Sequence, residues 1–126
     1  MYYFGVELRG YPEEQTDALF AAVQGWLGSE GLSDIAFDVR GAEDGIPTMN
    51  GVHPSAVKVR DPLGWRDALY ASLDALLREQ FGWVAHRELG KPGLYARIGF
   101  AASVHEDVWE DQCQAMDTIF DSAEGC

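Results

Sequence analysis

Thr16-Asp17-Ala18-Leu19-Phe20-Ala21-Ala22-Val23-Gln24-Gly25-Trp26-Leu27 decides the fold, because its pattern recurs as Arg66-Asp67-Ala68-Leu69-Tyr70-Ala71-Ser72-Leu73-Asp74-Ala75-Leu76-Leu77. Asp, Ala, Leu, Ala and a final Leu coincide, and an aromatic follows the first Leu in both. Pro12 and Pro62 precede the two segments, and each follows a strand-like tetrad, Val6-Glu7-Leu8-Arg9 or Val57-Lys58-Val59-Arg60. A recurring strand–helix unit constrains architecture strongly, because each copy must bury its apolar face against the other.

Outward from the first copy, residues 2–9 alternate. Tyr2, Phe4, Val6 and Leu8 take one side, and Tyr3, Gly5, Glu7 and Arg9 the other, as in a half-buried strand. Pro12 suits a first helical position, with Glu13 and Glu14 at the positive end of the helix dipole. Leu19, Phe20, Val23, Trp26 and Leu27 form the apolar stripe, and Gly28 suits the helix end. Ile35, Phe37 and Val39 then alternate in a second strand. Residues 41–54, with three Gly and two Pro and no periodicity, read as the one long loop.

In the second copy a strand is expected over 56–60. Asp61 caps a helix beginning at Pro62, with Trp65, Leu69, Leu73, Leu76 and Leu77 buried and Gly82 at its end. Residues 83–89 and 94–101 read as a hairpin across Gly90-Lys91-Pro92-Gly93. Ser103 can cap a third helix, whose Trp109, Cys113, Met116 and Phe120 form one narrow apolar line.

The expected architecture is a single α+β domain over 1–126, of the ferredoxin-like split βαβ kind. Its repeats span 2–40 and 56–89, with an antiparallel sheet and helices on one face. A strand at 94–101 is added at the edge, and an acidic helix at 104–122.

Charge is the main functional signal. The chain has 21 acids against 9 Lys and Arg, a net charge of −12. Residues 103–126 hold seven of those acids and no Lys or Arg. This balance opposes direct nucleic-acid binding, which depends on neutralising phosphates, and favours a basic protein partner. Like charges at Glu106–Glu110 and Asp107–Asp111 repel along the expected helix, a cost that a cationic partner relieves. Glu106, Asp107, Glu110, Asp111, Asp117 and Asp121 are therefore the partner-binding candidates, with Trp109 as an apolar anchor. The simpler reading of the same residues is a solubilising surface.

The face of the sheet away from the helices is expected to carry Tyr3, Glu7, Arg9, Asp38, Arg40, Lys58, Arg60, His86, Glu88, Tyr95 and Arg97. Arg9, Arg40, Arg60 and Arg97 could hold an anionic ligand there, with His86 as acid or base beside Glu88 or Glu7, within a dimer that pairs two such faces. The plainer reading is a solvated face whose charges pair across strands. Single-stranded RNA readers place aromatics on the middle strands, where this chain has Glu7 and Lys58 or Arg60.

No catalytic residues are assigned. His53, His86 and His105 lie far apart, no spacing implies a metal or cofactor, and Cys113 sits on an apolar line as an inert thiol. Cys113 and Cys126 form no disulfide framework. The N-terminus lacks a basic region and cleavage site, and no apolar run approaches the roughly 20 residues of a membrane span. A cytoplasmic binding protein is the expectation: a bacterial immunity protein against a toxin, or an inhibitor of a nucleic-acid-processing complex.

Overall fold

A computed structural model of the chain describes residues 3–32, 36–41, 45–52 and 60–101. It is an α+β structure with a five-stranded mixed sheet and two helices. The elements are β1 (Tyr3–Arg9), α1 (Thr16–Ser29), β2 (Ala36–Arg40), β3 (Thr48–Val52), α2 (Pro62–Phe81), β4 (Ala85–His86) and β5 (Leu94–Ala101), in spatial order β2-β3-β1-β5-β4. All neighbours are antiparallel except β4 and β5.

The alternation of β1 is realised on its core side from Phe4 to Leu8, while Tyr2 lies outside the described residues. Phe4, Val6 and Leu8 are completely buried, opposite Phe100, Ile98 and Ala96 of β5. Leu19, Val23, Trp26 and Leu27 of α1 join the same core cluster, as do Leu69, Leu73 and Leu77 of α2. Both helices therefore cover one face of the sheet. Phe4 meets Trp65 edge to face at 5.3 Å, which seats α2 on β1.

Both ends of α2 follow the sequence. Asp61 accepts a hydrogen bond from the Gly64 amide at 3.1 Å, and Pro62 fills the first turn, where no amide partner is needed. Gly82 takes a left-handed conformation (φ 70°) and its amide reaches Arg78 O at 3.0 Å, ending the helix. The start and end of α1 differ from expectation. Pro12 precedes a 3-10 turn at Glu13–Gln15, and Gly31 (φ 75°), not Gly28, takes the positive dihedral that closes the helix, with the Leu32 amide on Leu27 O at 2.7 Å.

Three expectations are corrected. The stretch 41–54 is not one loop: Thr48–Val52 forms β3, between β1 and β2. Asn50 and Gly51 conceal it in the sequence, because both are poor strand formers. Tertiary pairing overrides that weakness: Gly51 sits opposite Val6 on one side and Phe37 on the other, while Met49 is fully buried. Second, 83–89 and 94–101 do not form a hairpin. Only Ala85–His86 pairs with β5, and it does so in parallel. Third, Leu94–Ala101 is not an edge strand, since it lies between β1 and β4.

Phe20 leaves the expected buried stripe. It is 37% exposed and packs edge to face on Phe37 at 5.8 Å. Val39, although on the helix side of β2, is 38% exposed because β2 is the sheet edge. The expected strand at 56–60 falls outside the described residues except for Arg60, an exposed bend. The expected helix 104–122, with Cys113 and Cys126, lies wholly outside them.

Candidate functional site

The partner-binding candidates Glu106, Asp107, Trp109, Glu110, Asp111, Asp117 and Asp121 all lie outside the described residues. The charged sheet face, by contrast, is largely described. Glu7 on the central strand β1 is only 6% exposed, although it points away from both helices. Its register neighbours are Asn50 on β3 and Arg97 on β5.

Two ion pairs on this face run along strands, at i, i+2. Arg9 Nη2 donates to Glu7 Oε2 at 3.2 Å, and Arg9 Nε lies 3.1 Å from Glu7 Oε1 in charge contact without hydrogen-bond alignment. Arg40 Nε donates to Asp38 Oδ2 at 3.2 Å. Two of the four arginines expected to hold an anion are thus neutralised by carboxylates of their own strands. Arg97 lies beside Tyr95 and hydrogen-bonds it. Burial holds the Tyr95 phenol above its ordinary pKa of 10; Arg97 opposes this and Glu7 adds to it.

The acid–base pair expected at His86 is not assembled. Glu7 stands on β1 and His86 on β4, with β5 between them. Glu88 is engaged with Lys91 at 3.8 Å. His86 lines a cavity of about 360 Å³ with Trp83, Val84, Pro12 and Pro92, and Arg97 is not among its walls. Among the described residues no three His, Cys, Asp or Glu side chains group to hold a metal, and no helix is long and apolar enough to cross a membrane.

The same pairing recurs around the molecule. Arg78 joins Asp74 at 2.8 Å. Arg87 joins Asp67 at 3.1 Å while stacking over the Tyr70 ring at 3.9 Å. The Tyr70 hydroxyl in turn accepts from the Ile98 amide of β5 at 2.6 Å. Arg9, Arg40, Arg78, Arg87 and Lys91 all sit beside carboxylates of this chain.

Among the described acids near α1, Asp38 pairs with Arg40 but the others have no such partner. From Gly10 to Val39 the chain contains Glu13, Glu14, Asp17, Glu30, Asp34 and Asp38 and no Lys or Arg. Among the described residues, Glu13, Glu14, Asp17 and Glu30 enter no ion pair. This second stretch without Lys or Arg is legible in the sequence, but it is masked there by the denser acids of 103–126.

Beside it the two helices leave a groove of about 570 Å³. Its walls are Ala18, Ala21, Ala22, Gly25 and Ser29 of α1 facing Ser72, Ala75, Glu79 and Gln80 of α2, with Trp26 and Leu76 also lining it. Trp26 Nε1 donates to Ser72 Oγ at 2.9 Å, and Ser72 Oγ donates to Glu30 Oε1 at 3.0 Å, which fixes a carboxylate at one end. Periodicity alone could not find this groove, because its residues are the small ones left over from the buried stripe. No protein-family model, curated protein or solved structure matches this chain.

Proposed function

We propose that this chain is a small acidic binding protein that neutralises a basic macromolecular partner. A bacterial immunity protein directed at a cationic toxin, or an inhibitor of a nucleic-acid-processing complex, has this charge logic in the cytoplasm. The observation that carries the reading is the division of charge. Five described cations are matched by carboxylates of the chain, whereas Glu13, Glu14, Asp17 and Glu30 enter no ion pair among the described residues and residues 103–126 hold seven acids and no Lys or Arg. Long-range attraction then favours a cationic surface, and the effect is strongest in low salt.

In this reading Glu106, Asp107, Glu110, Asp111, Asp117 and Asp121 make the electrostatic contacts and Trp109 anchors them. The scaffold is a ferredoxin-like split βαβ. The order β2-β3-β1-β5 with antiparallel neighbours supports that assignment, and β4 is a short addition beside β5. The competing reading, an anionic ligand or a catalytic site on the open sheet face, loses support from the Arg9–Glu7 and Arg40–Asp38 pairs.

The test is a charge-reversal set, Glu106→Lys, Glu110→Lys, Asp111→Lys, Asp117→Lys and Asp121→Lys, assayed against the protein that co-purifies from the native host at low salt. Association should slow by tenfold or more, and its salt dependence should flatten. Unchanged kinetics would remove the acidic segment from the proposal.

A further inference from the structure

The α1 surface has a property that a scaffold helix does not need. From Ala18 to Gly28 it carries no charged residue, and Ala18, Phe20, Ala21, Gly25 and Gly28 are exposed. A surface helix of a globular protein ordinarily turns a charged or polar face to water. This one is apolar on its outer side as well as its inner one, and its acids are confined to the ends, at Glu13, Glu14 and Asp17 before the stretch and Glu30 after it.

The groove beside α1 combines that apolar floor with acidic ends. With no side chain longer than a methyl group at Ala18, Ala21, Ala22 or Gly25, an incoming side chain can reach the helix backbone, as a ridge enters a groove. Glu79 stands on the α2 wall, and the Trp26–Ser72–Glu30 chain holds a second carboxylate at the rim. None of the described lining residues is basic.

Charge decides among the occupants. A second copy of this chain also carries net −12, which opposes its approach. Its own residues 103–126 have seven acids and no Lys or Arg, so they cannot satisfy Glu30 or Glu79. What remains is a foreign segment with an apolar line and flanking cations. We infer that the α1–α2 groove seats a basic amphipathic helix of the partner protein, with Lys or Arg reaching Glu30, Glu79 and Asp17. This rests on the basic-partner reading and moves a main contact from the C-terminal segment to the helices.

The experiment uses the full chain at 150 mM salt and a synthetic Lys/Leu peptide with one apolar helical face. Two control peptides accompany it: a scrambled version with no such face, and a Glu/Leu version of the same geometry. The Lys/Leu peptide should shift the backbone amide resonances of Ala21, Gly25 and Ala75 and bind at least tenfold tighter than the scrambled peptide. Ala21→Trp and Ala75→Trp fill the groove at exposed positions and should each weaken binding tenfold or more. Glu79→Lys, which adds no comparable bulk inside the groove, should weaken it several-fold, with far-UV circular dichroism unchanged in all three. Equal binding by the filled variants, equal binding of the scrambled peptide, or shifts confined to residues outside the groove overturns the inference. Lys/Leu binding that persists in the filled variants but vanishes in the 106–121 charge-reversal set overturns the groove and leaves the basic-partner reading standing. Equal binding of the Glu/Leu peptide overturns the basic-partner reading, and the inference with it.

Discussion

Trp26 on α1 and Ser72 on α2, 46 residues apart in the chain, are joined by a 2.9 Å hydrogen bond from the indole nitrogen to the hydroxyl. The indole is 5% exposed, so its N–H has little access to water and this hydroxyl satisfies it. In the duplicated pattern Ser72 stands where the first copy has Ala22, so the bond is an asymmetry between two related helices.

Ser72→Ala should therefore cost about 1–2 kcal/mol, because it strands a largely buried donor and also releases Glu30. Urea unfolding measures the loss, and a change in tryptophan emission would report the altered surroundings of the indole. A midpoint unchanged from that of the unsubstituted protein would mean that water replaces the hydroxyl at no cost.

Two glycine substitutions should act in opposite directions. Gly10 has φ +80°, and a Cβ there would approach Gly93 O at 2.9 Å, so Gly10→Ala should destabilise by more than about 1 kcal/mol. Gly25 lies within α1 with open space around the corresponding position. Gly25→Ala should stabilise by about 0.5–1 kcal/mol, since alanine leaves less backbone entropy to lose on folding. Paired thermal melts check the opposed signs.

Alkaline pH should weaken the fold through Tyr95 and Tyr11. Burial raises both phenol pKa values above 10 in the folded state. Below pH 10 both states keep the proton and the contribution is complete. Above it the unfolded chain releases the proton first, so it binds fewer protons than the native state and stability falls as pH rises through the folded pKa. The melting temperature should decline from about pH 10 upward, and Tyr95→Phe should make the decline shallower. An identical slope in that variant would show that other groups control it.

What the sequence determined on its own is local. The β1 alternation names Phe4, Val6 and Leu8 as core, and the stripes of α1 and α2 name their buried leucines, although Trp65 and Leu76 of the α2 stripe are only half-buried, because burial on one face imposes a fixed period. Asp61, Pro62 and Gly82 mark the ends of α2, because capping is chemistry between near neighbours. The stretches without Lys or Arg are read directly from composition. Contact between distant segments is what only the tertiary structure decided. β3 has weak strand propensity in Asn50 and Gly51 and exists because β1 and β2 pair with it. His86 pairs in parallel with Tyr95 where a hairpin was expected, and Glu7 is buried on a face that alternation assigns to solvent. The duplication holds both lessons. It is written in the chain, yet the groove its two helices enclose, with Ala22 and Ser72, Gly25 and Ala75, and Trp26 and Leu76 as equivalent positions, forms only when packing on one sheet face brings the copies side by side.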